Sequence, residues 1–191
     1  MSETFYVHPT AVIDHDVIIG EKSKIWHHVH VREHSRIGKE CVLGKGVYID
    51  TGVTIGDYVK IQNGVSIYRG IVIEDKVYIG PNATFTNDMY PRSVSPDWEI
   101  IPTYIRKGAS IGANATILCG IEIGHYSMIG AGSVVTDDIL PHALMMGNPS
   151  RLKGFVCECG KLLKSQTRDG MRFACEICGK KYNHIFNDTD S

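Results

Sequence analysis

Large apolar residues recur along this chain at every sixth position. From Val7 the series runs through Ile13, Ile19, Ile25, Val31, Ile37, Leu43, Ile49, Ile55, Ile61, Ile67, Ile73 and Ile79 to Phe85 without a miss. It breaks, then resumes at Ile105 and continues through Ile111, Ile117, Ile123 and Ile129 to Val135. Four places after each apolar residue stands a small or β-branched one, such as Ala11, Ser23, Val29, Cys41 or Val59. Glycine directly follows the apolar residue at Gly20, Gly38, Gly44, Gly56, Gly80, Gly112, Gly124 and Gly130. A helix needs apolar residues at a spacing of 3.6 and a half-buried strand needs a spacing of two. A period of six satisfies neither. It predicts an all-β prism in which each hexad is one short strand and one turn. Three hexads close a triangular coil, and coils stack about 4.8 Å apart. The aliphatic side chains fill the interior, and the small fourth residue sits where the inner wall crowds. The glycines are expected to adopt turn dihedrals that cost other residues energy.

Between Phe85 and Ile105 the phase is lost, and about residues 86–104 carry Pro91, Pro96 and Pro102. Proline cannot donate to a ladder, so this stretch is expected to leave the prism as a loop. Trp98 and Tyr104 argue that it is ordered. It opens on Thr86-Asn87-Asp88, residue types that also begin turns.

Lys plus Arg total 20 against 21 Asp plus Glu, a formal net charge of -1, which gives no argument for a nucleic-acid partner, since that would normally need a clustered basic face. No apolar run approaches the length of a membrane span, and Met1 to Thr10 lacks a basic-then-apolar leader, so a soluble cytoplasmic protein is expected. Four of the six cysteines crowd the last quarter as Cys157-Glu158-Cys159-Gly160 and Cys175-Glu176-Ile177-Cys178-Gly179. Two such knuckles predict a zinc-ribbon-like segment in which four thiolates close a structural zinc site. The first pair has a one-residue spacer, which keeps His184 as a fallback ligand. Cys41 and Cys119 fall inside hexads and are expected to be packed thiols. The expected division is therefore a prism over 1–153 and a metal-stabilised segment over 154–191.

The hexads resemble those of the hexapeptide acyltransferases. Three segments resemble more narrowly the nucleotide-linked 3-amino-sugar N-acetyltransferases: Ile25-Trp26-His27-His28-Val29-His30-Val31, Val59 to Tyr68 with Gln62-Asn63-Gly64, and Gly80-Pro81-Asn82 through Asn87-Asp88 to Ser93. The resemblance covers about residues 6–153. It implies a left-handed parallel β-helix, a homotrimer and acetyl-CoA as co-substrate. It also implies transfer of the acetyl group to the 3-amino group of a dTDP- or UDP-linked dideoxysugar destined for a surface glycan. On this resemblance Asn87 and Asp88 are the catalytic candidates: the Asn87 amide would orient the amine, and Asp88 would hold it or take its proton. His30, Gln62, Asn63, Tyr68 and Arg92 are candidates for binding the sugar nucleotide. Ala113 and Ala131 stand where a pantetheine arm would pass. Gly147-Asn148-Pro149-Ser150-Arg151-Leu152-Lys153 resembles the segment beside the adenine and 3′-phosphate, with Asn148, Pro149, Arg151 and Lys153 as its contacts.

The same repeat occurs in γ-class carbonic anhydrases, which bring three histidines together from neighbouring coils. Here no histidine lies between His34 and His125, which argues against that chemistry. An O-acetyltransferase would be expected to need a histidine-like base near the loop, which this sequence does not show; His125, in a late coil, is a second histidine candidate after His30. A non-catalytic scaffold docking partners through its cysteine segment is the alternative of a different class.

Overall fold

The computed structural model describes residues 4–94, 99–166 and 172–183, so Pro96, Trp98 and His184 lie outside the described residues. The hexads build a parallel β-solenoid of triangular section. Face one stacks Tyr6–Val7, Lys24–Ile25, Val42–Leu43, Lys60–Ile61, Tyr78–Ile79, Ser110–Ile111, Met128–Ile129 and Ala143–Met146. Face two stacks Val12–Ile13, His30–Val31, Tyr48–Ile49 and Ser66–Ile67, then in a second ladder Thr84–Phe85, Thr116–Ile117 and Val134–Val135. Face three runs from Ile18–Ile19 through Arg36–Ile37, Thr54–Ile55, Ile71–Ile73 and Thr103–Ile105 to Glu122–Ile123.

Register is constant at one coil: Lys60 pairs with Tyr78, and Ile61 with Ile79. The period-six residues from Ile25 onward are buried and form one continuous core with the small fourth residues between them. Fully burying one such isoleucine contributes about 1.5–3 kcal/mol, and repetition makes this the main stabilising term. Cys41 is buried in it, and Cys119 is buried as well, as expected. Among the described residues no helix is long and apolar enough to cross a membrane.

The glycine column has a different cause from the one expected. Gly20, Gly38, Gly44, Gly56, Gly80, Gly112, Gly124 and Gly130 do not have positive φ. Their constraint is the next coil: a Cβ on Gly112 would stand 2.5 Å from the Ala131 nitrogen, and one on Gly80 2.6 Å from the Ala113 nitrogen. The left-handed position comes two residues later in the turn. Glycine fills it at Gly46, Gly64 and Gly132, while Lys22, His28, Tyr58 and Asn114 fill it in other coils. That is the φ > 0 site of a type II turn.

The expected excursion occupies the corner between faces two and three of the fifth coil. Val72 pairs with Tyr104, thirty-two residues on, whereas Thr54 in the coil below pairs with Val72 at eighteen. Tyr104 therefore belongs to the returning strand Thr103–Ile105. At the far end Arg151–Phe155 folds back antiparallel onto Ala143–Met146 and carries the chain across position 153 into the cysteine segment.

Candidate active site

Folding the sequence at eighteen residues per coil stacks polar side chains on the outside of face two. His30 Nε2 lies 3.2 Å from Asp14 Oδ2, one coil below. Arg32 donates to Glu33 at 2.8 and 3.1 Å and to Asp50 Oδ1 at 3.4 Å. The Tyr48 hydroxyl donates to Asp50 Oδ1 at 3.1 Å, and Asp50 Oδ2 accepts the Arg69 backbone N–H at 3.2 Å. Rings continue the column, with His30 to Tyr48 centroids 5.7 Å apart and Tyr48 to Tyr68 6.3 Å. Hydrogen bonding to Tyr48 and Glu33 holds the Arg32 pKa above its ordinary value. Burial, with the bond to Asp50, pushes the Tyr48 phenol up.

Asn87 and Asp88 leave the prism from the top of this column, one coil above Tyr68, and both are half-buried. The loop's two feet are fixed to consecutive residues of the next coil. Thr86 Oγ1 accepts the Cys119 N–H at 3.0 Å, and Thr103 Oγ1 accepts the Gly120 N–H at 3.1 Å. Asp88 Oδ1 accepts the Tyr90 N–H at 2.9 Å, so this carboxylate also shapes the first turn of the loop. Arg92 is exposed and donates to the adjacent Pro91 carbonyl at 2.8 Å, apart from the other candidates.

The other border of face two, its edge with face one, is a column of turns joined by backbone bonds. Gly64 N–H donates to the Lys45 carbonyl at 3.0 Å, Asn82 N–H to Asn63 at 3.0 Å and Gly132 N–H to Ala113 at 2.8 Å. Gln62, Asn63, Ala113 and Ala131 all lie on this edge. Gly147 continues it, since its carbonyl accepts the Val134 N–H at 2.9 Å, and the cis peptide Asn148–Pro149 follows. Arg151 and Lys153 are exposed on the final strand, with Arg151 donating to the Ser150 carbonyl at 2.9 Å.

Face two thus carries His30 and Tyr68, with Asn87 and Asp88 on one border and Gln62, Asn63, Ala113, Ala131, Asn148 and Pro149 on the other. His125 lies on the third edge, 3.9 Å from Glu74, away from the loop. Arg32, Tyr48 and Asp50 escaped sequence reasoning. The signal for Arg32 and Asp50 is the eighteen-residue column Asp14, Arg32, Asp50, Tyr68, and for Tyr48 its place eighteen residues after His30.

In the cysteine segment the sulfurs of Cys157, Cys159, Cys175 and Cys178 lie within 4.8 Å of one another. Cys157 and Cys178 are 3.4 Å apart, and Cys159 and Cys175 3.6 Å. Zinc bound at about 2.3 Å to four sulfurs sets them about 3.8 Å apart, so these residues fit such an ion. Gly160 and Gly179, after each pair, have φ of 80° and 75°. The Cys178 and Ile177 backbone N–H groups pull the Cys175 thiol down to about 6. The segment has a small cluster of its own: Cys157, Leu163, Phe173, Cys175 and Tyr182. It meets the last coil where the Tyr182 ring lies 4.9 Å from that of buried His142.

Two family models match. Residues 35–69 match the hexapeptide repeat of succinyl-transferase, and residues 102–137 the bacterial transferase hexapeptide of six repeats. The chain is 46% identical over 183 residues to dTDP-3-amino-3,6-dideoxy-α-D-galactopyranose 3-N-acetyltransferase of Aneurinibacillus thermoaerophilus, covering 96% of this chain and 93% of that enzyme. The chain belongs to the hexapeptide-repeat acetyltransferases. Within that family, a hexapeptide-repeat-containing acetyltransferase of Vibrio cholerae superposes with a TM-score of 0.55 at 26% identity, over 72% of this chain and 73% of that one. The same protein, from Vibrio cholerae O1 biovar eltor and solved in complex with acetyl-coenzyme A, gives 0.50 at 28% identity, over 59% and 69%. The UDP-N-acetylglucosamine acyltransferase of Campylobacter jejuni, at 17% identity and a TM-score of 0.52 over 78% of this chain and 74% of that one, shares the fold alone.

Proposed function

We propose that this chain moves an acetyl group from acetyl-CoA to the 3-amino group of a dTDP-linked 3-amino-dideoxysugar, for surface glycan synthesis in the cytoplasm. The observation that carries the reading is the 46% identity, over nearly the whole of both chains, to an enzyme of that activity. The half-buried pair Asn87 and Asp88 at the border of an aromatic, charged face supports it. We take the solenoid as left-handed, as the family resemblance implies, and the assembly as a homotrimer, because flat prism faces need a neighbour to form a cleft.

In this reaction the amine nitrogen bonds to the thioester carbonyl carbon, the carbon–sulfur bond breaks, and one amine proton is lost, with the departing thiolate as its final acceptor. The Asn87 amide oxygen would accept a hydrogen bond from the amine and aim its lone pair at the carbonyl. Asp88 would hold the amine from its second side and take up its proton. His30, Tyr68 and Arg92 would contact the sugar nucleotide. A backbone N–H near Ala113 or Ala131 would stabilise the developing oxyanion. Asn148 and Pro149 would shape the adenine end, and Arg151 and Lys153 would pair with phosphate oxygens. Residues 1–153 would form the catalytic prism, and 154–191 a segment closed by zinc on Cys157, Cys159, Cys175 and Cys178. The experiment is thiol release from acetyl-CoA with a dTDP-linked 3-amino sugar. Turnover that collapses in Asn87→Ala supports the reading, and no turnover despite acetyl-CoA binding contradicts it.

A further inference from the structure

The turn from face two to face three of the first coil reads Asp14-His15-Asp16-Val17, and eighteen residues on the same turn reads Arg32-Glu33-His34-Ser35. The coil period therefore sets His34 over Asp16. His34 Nδ1 lies 3.8 Å from Asp16 Oδ2, and the His15 ring meets the His34 ring edge-on with centroids 5.4 Å apart. One ligand atom from each of the three residues lies within 4.8 Å of the other two. The neighbouring acids are engaged elsewhere: Asp14 with His30 at 3.2 Å, Glu33 with Arg32 at 2.8 Å, and Asp50 with Tyr48 at 3.1 Å. Asp16 faces the two imidazoles, and among the described residues His34 is its one ion-pair partner.

The space around this cluster is open. The Asp16 and His34 side chains are 70% and 61% exposed. The same turn position in the third coil is Gly52, where a Cβ would meet nothing within 4 Å. A hollow of about 340 Å³ adjoins the turn, lined by Asp16, Val17, Ile18, His34 and Arg36. It leaves room for the waters that complete a three-ligand shell. Two imidazoles and one carboxylate suit zinc, nickel or copper, whereas magnesium and calcium prefer oxygen ligands. Zinc at about 2.1 Å from each ligand draws them to about 3.4 Å of one another, a closure that rotation of exposed side chains supplies.

Packing gives such an ion a task. The period-six residues are buried from Ile25 onward, but in the first coil Val7, Ala11, Ile13, Val17 and Ile19 are only partly buried. Burial therefore holds the first coil least. His15 and Asp16 belong to that coil and His34 to the second, so one ion ties the two together. A ligand that binds only the folded arrangement stabilises it by mass action.

We propose that His15, Asp16 and His34 form a surface site for a transition-metal dication such as zinc, and that the bound ion pins the first coil to the second. The site is separate from the four cysteines, which follow the last coil. It is also separate from Asn87 and Asp88, which lie four coils up the same edge, about 19 Å at the spacing of stacked strands.

The test starts from full-length protein loaded with zinc and dialysed, so that the cysteines keep their ion and the weaker surface site empties. Further zinc is then titrated in by calorimetry. Wild type is expected to take up one more ion per chain. Its affinity should fall more than about tenfold in His15→Ala and in His34→Gly, since loss of even an outer-shell partner costs that much. Glycine suits the φ of 63° at position 34, so the second variant keeps the turn. Added zinc should slow hydrogen exchange in Val12–Ile13 and Ile18–Ile19 of wild type and leave it unchanged in His34→Gly. Uptake of no further zinc by wild type would overturn the site. Unchanged uptake in both variants would overturn it too, and would move the ion to another pair such as the stacked His8 and His27. Binding lost in the variants, with no zinc effect on first-coil exchange in wild type, would overturn the pinning role.

Discussion

Thr86 and Thr103, at opposite ends of the loop, hold it by the same device: their hydroxyls accept the N–H groups of Cys119 and Gly120 at 3.0 and 3.1 Å. The excursion that carries Asn87 and Asp88 is thus fixed at both feet to a single turn of the sixth coil. Thr86→Val keeps the shape and removes the acceptor, leaving a part-buried N–H unsatisfied. It should cost about 1–3 kcal/mol, lowering the melting temperature by a few degrees, and should reduce kcat by loosening the proposed catalytic pair. Melting curves and steady-state rates on the same preparation check both effects.

The structural role of Asp88 and its proposed catalytic role are separable. Its Oδ1 accepts the Tyr90 N–H, which an asparagine would also do, whereas only a carboxylate takes a proton. Asp88→Asn should therefore retain stability and acetyl-CoA binding while kcat falls about 10²- to 10⁴-fold, the range for a lost general base. Asp88→Ala should lose the turn as well and melt lower than Asp88→Asn. Equal kcat in wild type and Asp88→Asn would confine this residue to the turn.

The close stacking of coils makes the glycine column intolerant of even one methyl group. Gly112→Ala places a Cβ 2.5 Å from the Ala131 nitrogen, with the Gly130 carbonyl carbon at 2.8 Å. Backbone must move, at a cost of about 1–3 kcal/mol, and a drop of several degrees in thermal melting is expected. Gly132→Ala meets nothing within 4 Å, but its φ of 69° strains a side chain. It should cost less than Gly112→Ala, and comparing the two melts separates close approach from dihedral strain.

A charged cluster on the third edge gives the prism a pH dependence. Burial pushes the Glu74 carboxyl up, but the Arg106 guanidinium at 2.8 Å and the Lys107 N–H outweigh it, so its pKa sits below the ordinary value. A depressed folded value contributes stability above the unfolded carboxylate range, and that stability is lost as pH falls through the folded value. Wild type should melt above Glu74→Gln at pH 7, and the difference should close as the solution is acidified below pH about 4. The half-exposed setting keeps the effect small.

Zinc content is checked by elemental analysis of the full-length protein, with one ion per chain expected. Cys175→Ser should lose the ion and unfold the segment around Leu163, Phe173 and Tyr182, while circular dichroism of the prism persists. Among the described residues the segment's own apolar cluster is five residues, and so small a core is expected to need a metal.

The prism was legible because one periodicity governs interior, small and glycine columns together, and every period-six residue from Ile25 onward is buried. The cause of the glycine column was not, because close approach between Gly112 and Ala131 exists only once coils are stacked. The same holds for the outside of face two. Asp14, Arg32, Asp50 and Tyr68 are eighteen residues apart, so their relation emerges at the period of the coil and is hidden at the period of the strand. The cysteine knuckles were readable from spacing, and their four sulfurs do converge. Arg92 shares the loop with Asn87, and its guanidinium donates to its own backbone neighbour, Pro91, a contact that the motif does not show.

The central claim is acetyl transfer to a 3-amino group on a nucleotide sugar, and the most direct measurement is thiol release from acetyl-CoA against dTDP- and UDP-linked 3-amino sugars, with 4-amino isomers and unaminated sugars as controls. The account predicts turnover confined to a 3-amino substrate, fastest with the dTDP-linked one, and its collapse in Asn87→Ala with acetyl-CoA binding preserved. Equal rates with the 4-amino isomers, or no turnover with any amino sugar while acetyl-CoA binds, would contradict it.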